Sequence, residues 1–328
     1  MLRASSRARR PGASGAEAGV KGPGAPSSRI YRCAPSCATL SLAPAADVAK
    51  YAAGLEVGTL MDVRKTYKLF IGGEFVRSES GRAYRFDGSI NVPRGSRKDL
   101  RDAIRAARTA FPGWAARTAM NRGQILYRAA EMLDGRRAQF VEVLGGGRTA
   151  TREVESAVDA LIWYAGWTDK LAQVAGNTNP VSGPYFNFTI PEPTGVVGII
   201  APEEPALAGL VRRVAPALCG GNTVVVLAPE AAPLPALTLA EVLATSDVPG
   251  GVVNVIGGYH RELLPWLAAH MDVNAIDTAG CTPEELTAIE KAAAGNVKRV
   301  IKSPPGELSP QLITAFMEMK TVWHPIGV

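Results

Sequence analysis

Three turns in this chain could meet an anion, and two of its cysteines could act as nucleophiles. Thr278-Ala279-Gly280-Cys281-Thr282 stands between an apolar run and a helical one. A glycine there lets backbone N–H groups approach a phosphate at a helix start. Gly257-Gly258 follows a second apolar run and Glu230 a third. Each alone is a commonplace turn, so their order and separation carry the weight. Cys219 and Cys281 would need a neighbouring base or cation to become thiolates. Neither has an evident local His, Lys or Arg partner, although Arg212 and Arg213 lie one to two turns before Cys219. Cys33 and Cys37 have no second Cys or His pair at zinc-like spacing, and His260, His270 and His324 form no HxxxH pair. Metal chemistry is therefore unsupported, and unpaired thiols fit a reducing cytoplasm.

These turns need a scaffold, and the pattern supplies one. Lys68 to Val76 is two β-rich runs around Gly72-Gly73, a hairpin signal. Ser96 caps a helix, with Asp99 three residues on and Leu100, Ile104, Ala107 and Phe111 at helical spacing. Further helices are expected over 118–133, 136–144 and 152–174, with Gly145-Gly146-Gly147 as a linker. From Tyr185 apolar strands alternate with helices. The strands are 186–190, 196–200, 223–227, 252–256, 273–277 and 297–301, and the helices 207–218, 234–244, 261–270 and 283–294. Short apolar strands joined by helices predict an α/β fold, a Rossmann-like parallel sheet with helices on both faces. Such sheets bind nucleotides at the carboxyl ends of their strands. No G-x-G-x-x-G is present.

Five ordered phrases resemble the aldehyde dehydrogenase superfamily. They are Tyr164-Ala-Gly-Trp167, Pro193-Thr-Gly-Val-Val-Gly-Ile-Ile-Ala-Pro202, Ala215-Pro-Ala-Leu-Cys-Gly-Gly-Asn-Thr-Val-Val225, Val248-Pro-Gly-Gly-Val-Val-Asn-Val255 and the closing run Ile313 to Trp323. The resemblance covers roughly residues 67–302 and 312–324. It implies a dinucleotide-binding domain with small bridging strands that take part in oligomerisation. In the family a large domain carrying the nucleophilic cysteine lies between those two stretches.

The departures from the family pattern bear on activity. An Asn that helps hold the oxyanion is replaced within Pro202-Glu203-Glu204-Pro205, where a carboxylate at Glu204 would repel a developing oxyanion. The lysine that grips the adenosine ribose is Leu227, followed by Ala228-Pro229-Glu230. In the phosphate turn Gly280 and Thr282 survive, but Glu284 and Glu285 bring negative charge to a helix start that phosphate would approach. Lys302-Ser303-Pro304-Pro305-Gly306 stands where the family places its general-base glutamate. The resemblance thus leaves Ile200, Ala201, Glu230, Gly257, Gly280 and Thr282 as residual cofactor positions. It assigns no catalytic residue, and NAD(P) binding is expected to be weak or absent.

With 328 residues, 47% of them hydrophobic, the chain can bury a full core. Its net charge of +6 is mostly at one end, because residues 1–60 carry 8 − 3 = +5 and the remainder 6 − 5 = +1. No basic helix face interleaved with aromatics is present, which argues against a nucleic-acid partner, and no apolar run is long enough to span a membrane. Residues 1–60 are expected to be disordered, or to precede a true start at Met61. The expected division continues with a dinucleotide-binding-like domain over 61–302, its bridging strand at about 185–191. A junction at 303–311 replaces the catalytic domain, and an oligomerisation strand occupies 312–328. The leading expectation is a cytoplasmic, non-catalytic partner of a full-length aldehyde dehydrogenase, or of itself, docking through the C-terminal strand with Phe316, Val322 and Trp323. The alternatives are an NAD(P)-dependent aldehyde oxidoreductase completed by a partner subunit or by Cys281, and a nucleotide-sensing module.

Overall fold

The computed structural model describes residues 65–302 and 308–327. The calls on residues 1–60, Met61, Cys33, Cys37 and Ser303 to Glu307 lie outside the described residues. The hairpin forms as expected, β1 (Leu69–Ile71) and β2 (Glu74–Val76) turning through Gly72 and Gly73 at φ +67° and +91°. A second hairpin, β3 (Ala83–Phe86) with β4 (Ile90–Pro93), was not anticipated, its strands being short and half polar.

Four longer elements and one short one follow: α1 (Arg97–Ala115), α2 (Ala119–Gly135), α3 (Arg137–Val143), α4 (Gly147–Ala165) and α5 (Leu171–Ala175). The capping box at the start of α1 is present, and Asp99 does more than cap. Its carboxylate accepts from the Ser96 N–H at 2.8 Å, the Ser78 hydroxyl at 2.8 Å and the Glu79 N–H at 3.0 Å, the Ser78 bond being fully buried. Asp99→Ala would orphan these donors and is expected to reduce stability by about 2 kcal/mol, read from the urea midpoint. The helix expected over 152–174 instead starts at Gly147, ends at Ala165 and resumes briefly as α5. Its break falls at Gly166, which favours neither continuation nor packing.

The remaining elements are β5 (Asn177–Asn179), β6 (Tyr185–Pro193), β7 (Val196–Ile200), α6 (Ala206–Cys219), β8 (Thr223–Leu227), α7 (Pro233–Ala244), β9 (Val253–Ile256), α8 (His260–Ala269), β10 (Ala275–Asp277), α9 (Pro283–Ala293), β11 (Arg299–Ile301), α10 (Pro310–Ala315) and β12 (Met317–Pro325). The strand expected from Val297 begins only at Arg299. Val297 itself is left-handed at φ 55° and 93% exposed, in the turn that reverses the chain after α9.

The main sheet runs β11-β10-β7-β8-β9-β1-β2, with β11 to β9 parallel and β1 and β2 antiparallel at one edge. Alternate residues feed two cores. Val197, Ile199, Val224 and Val226 pack with α2, α4, α6 and α7, whereas Val196, Ile200, Val225 and Leu227 pack with α1, α8 and α9. That is the period of two of a doubly covered parallel sheet. The strand sequence moves outward from β7 to β9 and then restarts on the other side of β7 at β10. A crevice therefore opens at the carboxyl ends of β7 and β10, where such sheets take nucleotides.

A separate three-stranded sheet has the order β12-β6-β5. β12 and β6 pair over nine residues, Val322 opposite Phe188 and Trp323 opposite Asn187. Among the described residues only one side of β12 is paired, so it presents an open edge. Phe316, expected to belong to this docking strand, does not. It precedes β12, is 0% exposed, and joins Ile313 in the main core, where its carbonyl accepts from Asn222 at 2.9 Å and the Thr194 hydroxyl at 2.8 Å.

Candidate functional site

The crevice is built by backbone before any side chain enters it. Gly280 donates its N–H to the Ile200 carbonyl at 3.0 Å, and Ala201 donates to the Leu227 carbonyl at 3.1 Å. A Cβ at Gly280 would collide with the Ala201 carbonyl, so only glycine allows this approach. Ile200, Ala201 and Gly280 are thus brought together by the fold. Gly257 lies at the neighbouring strand end, its carbonyl accepting from the Gly95 N–H at 2.7 Å. Thr282 caps α9, and Glu230 lies in the turn after β8.

Backbone donors around the crevice and at nearby helix starts are engaged by the chain's own carboxylates. Glu285 reaches back to the Thr282 N–H at 2.9 Å, closing a capping box at the start of α9. Glu230 accepts from the N–H of His260, the first residue of α8. Glu203 accepts from the N–H groups of Glu230 and Ala231, both at 3.1 Å. Glu153 accepts from Leu207 and Ala208 at 2.7 and 3.2 Å, at the start of α6. Four carboxylates therefore occupy backbone donors at or just before the starts of four helices, each favoured there by the helix dipole.

His260 closes the space between strand and helix. Its ring is almost fully buried, with Nε2 3.1 Å from the Ala228 carbonyl and Nδ1 4.0 Å from a Glu285 oxygen. Because a carbonyl only accepts, Nε2 carries a proton and donates. Tyr84, from β3, faces the same region, and burial first, then Glu230, Tyr259 and Glu203, push its hydroxyl well above the usual tyrosine range. The field here is negative. Sequence reading weighed His260 only as a metal ligand and missed Tyr84. Glu203, Glu230 and Glu285 were the acidic residues in the sequence that pointed to this arrangement.

Leu227 has a consequence beyond the missing cation. It is wholly buried beside Ile256, Leu263 and Leu264 in the second core. A lysine placed there would carry its stem into an apolar cluster, so Leu227→Lys is no simple restoration of a ribose contact. Glu204, by contrast, is exposed and lines a cavity of about 580 Å³ together with Glu153, Glu203, Phe86 and Leu234.

Both candidate thiols are unsuited to nucleophilic work. Burial, opposed by Arg122, pushes Cys219 up to about 12, and Arg122 rather than Arg212 or Arg213 is its nearby cation. Burial, with Glu285 and Asp277 adding repulsion, pushes Cys281 up to about 12. A thiol in that range is almost entirely protonated at neutral pH. Among the described residues no group of three His, Cys, Asp or Glu side chains could hold a metal, and no helix is long and apolar enough to cross a membrane.

A doubly wound sheet with a glycine-lined crevice at its switch point is a nucleotide-binding type of fold. Comparison with known proteins narrows it further: residues 85–321 match the aldehyde dehydrogenase family, and the chain belongs to that family. It is 35% identical over 266 residues to retinal dehydrogenase 2 of Mus musculus, an alignment covering 76% of this chain and 51% of that protein. It is 34% identical over 248 residues to the cytosolic aldehyde dehydrogenase 1 of Elephantulus edwardii, covering 71% and 49%. The NAD+ complex of an aldehyde dehydrogenase from Bacillus cereus superposes with a TM-score of 0.67 at 28% identity, over 72% of this chain and 50% of that one. The chain spans about half the length of the curated relatives it matches.

Proposed function

We propose that this chain is a non-catalytic member of the aldehyde dehydrogenase family that binds NAD(P) weakly or not at all and acts as a partner subunit. The observation that carries this reading is the crevice in which Glu203, Glu230 and Glu285 take backbone donors that a pyrophosphate would use. Bringing in a dinucleotide would require those carboxylates to leave or would set like charges against one another. Ile200, Ala201, Gly257, Gly280 and Thr282 keep the shape of a cofactor turn without its charge. Eight residues, 302 to 309, separate β11 from α10. In the family reading this short connection stands where the cysteine-bearing domain would be, and 61–302 is then the dinucleotide-binding-like domain.

The partner is a full-length aldehyde dehydrogenase or a second copy of the chain, met by the β12–β6 flap. Phe186, Phe188, Ile190 and Val322 share one face of that flap by strand alternation and register. Trp323 is 58% exposed on the other, against Tyr185 at 5.8 Å between ring centroids. An open strand edge beside exposed aromatics favours pairing with another sheet. Val322→Asp puts a negative charge opposite Phe188, between Phe186 and Ile190 on that face. It should leave the fold intact but weaken association by a few kcal/mol, enough to dissociate a micromolar complex. The test is co-expression with a full-length aldehyde dehydrogenase from the same genome, then affinity capture and size-exclusion chromatography of both forms. A wild-type chain that elutes as a monomer and captures nothing sinks the subunit reading. A homo-oligomer broken by Val322→Asp keeps the strand's role and discards the heteromeric partner.

A nucleotide-sensing role is the second reading, favoured by the likeness to the NAD+ complex from Bacillus cereus. It predicts dinucleotide binding without turnover. An aldehyde oxidoreductase using Cys281 is disfavoured by the thiol's protonation.

A further inference from the structure

Away from the crevice, on the outer face of the layer formed by α1 and α8, a cavity of about 270 Å³ is lined by Arg97, Leu100, Arg101, Trp266, Ala269 and His270. Trp266 lies six residues along α8 from His260, about 9 Å by helix rise. The Arg97 guanidinium is stacked on the Trp266 indole, 3.5 Å from the ring centroid. Stacking fixes the plane of the group and leaves its N–H edges able to donate. Among the described residues Arg97 spends none of them on a hydrogen bond or ion pair within the protein.

Arg101 follows one helical turn later on the same face. Its described ion pair is with its exposed neighbour Asp102 at 3.1 Å, a solvent-screened contact that a ligand can replace. His270 Nδ1 accepts from the Asp272 backbone N–H at 3.2 Å. The proton of the neutral ring therefore sits on Nε2, which remains a donor. No carboxylate lines the cavity. Burial holds His270 below the usual histidine range against the pull of Asp272, with Lys298 and Arg108 adding to the lowering. Arg105 is exposed one turn beyond Arg101.

Three groups of donors converge on a small space with a flat aromatic wall and aliphatic sides from Leu100 and Ala269. Guanidinium groups one turn apart can grip a phosphate through paired N–H···O bonds. The outer face of the stacked Arg97–Trp266 pair, with aliphatic sides beside it, suits a planar base. The cavity is slightly smaller than the range typical of drug-sized ligands, which suits one nucleotide and not two. We propose that it binds a nucleoside monophosphate, the phosphate held by the N–H edges of Arg97 and Arg101 with the His270 Nε2–H, and the base over the stacked Arg97–Trp266 pair beside Leu100 and Ala269. This site is independent of the crevice, and its occupancy says nothing of the subunit role.

Calorimetric titration of the full chain with AMP tests it, with adenosine and inorganic phosphate as separate arms. Saturable AMP binding is expected, each half-ligand binding more weakly. Arg97→Gln and Trp266→Leu should each weaken AMP by roughly tenfold or more. Unchanged melting curves would show that these exposed substitutions leave the fold intact. Arg128→Ala, on α2 and outside both the cavity and the crevice, should leave AMP binding as it was. No saturation at millimolar AMP overturns the proposal, as does saturation that both cavity variants leave unchanged. Phosphate binding as tightly as AMP would overturn the nucleotide assignment.

Discussion

Arg213→Met is expected to destabilise the protein by about 3–5 kcal/mol at pH 8. Arg213 on α6 and Asp277 at the end of β10 are 2% and 0% exposed, with Nη1 3.5 Å from Oδ2. Removing the cation leaves a carboxylate inside the protein, helped among the described residues by the Ala279 N–H at 3.0 Å. Burial, opposed by Arg213, already raises Asp277 from 3.8 to about 6. The folded value therefore lies above the unfolded one. The stability linked to Asp277 is present below about pH 4 and lost as pH rises through about 6. Without Arg213 the folded pKa rises further, so the defect should be larger at pH 8 than at pH 5, where the carboxyl gains a proton. Arg213→Met/Asp277→Ala, which removes both charges, should recover most of the loss. Urea unfolding of the three proteins at both pH values checks this. A double variant as unstable as the single one would mean that the pair is not the source.

This pair also marks what sequence reading could reach. The alternation of Val196-Val197-Gly198-Ile199-Ile200 with the α6 stretch, repeated through β8 and β9, made the parallel sheet and its carboxyl-edge crevice legible, because hydrophobic period and burial are local properties. Ser96 with Asp99 made the start of α1 legible for the same reason. Gly280 could be picked out only through the order of the phrases around it, because a glycine between strand and helix is by itself a commonplace turn. The partners of Glu203, Glu230 and Glu285 could be read only in part. Glu285 bonds three residues away, within reach of a capping rule, whereas Glu203 reaches 27 and 28 residues ahead and Glu230 reaches 30. Asp277 with Arg213 is likewise a contact that only folding creates, 64 residues apart. Phe316 was misplaced for a related reason: it adjoins a genuine strand, and whether it belongs to the strand or to the core depends on where α10 packs.

The crevice is expected to reject dinucleotides, and no aldehyde is expected to be oxidised there. Losing the charge-assisted ribose contact at Leu227 lowers affinity by roughly ten- to a hundredfold, before displacement of the resident carboxylates is counted. With Cys219 and Cys281 both pushed up to about 12 and no other thiol among the described residues, an acyl-enzyme has no evident nucleophile. A panel of aldehydes with NAD+ or NADP+ should yield no reduced cofactor above the protein-free background. Turnover lost in Cys281→Ala would instead restore the enzyme reading.

The most direct measurement is calorimetric titration of the isolated full chain with NAD+ and NADP+ at neutral pH, beside a full-length aldehyde dehydrogenase as a positive control. The expected result is no saturable heat from the crevice at concentrations that saturate the control. Any weak binding through the α1–α8 cavity should disappear in Arg97→Gln. A micromolar dissociation constant that survives Arg97→Gln would contradict the account, because it would mean that Glu203, Glu230 and Glu285 yield their backbone donors to the cofactor.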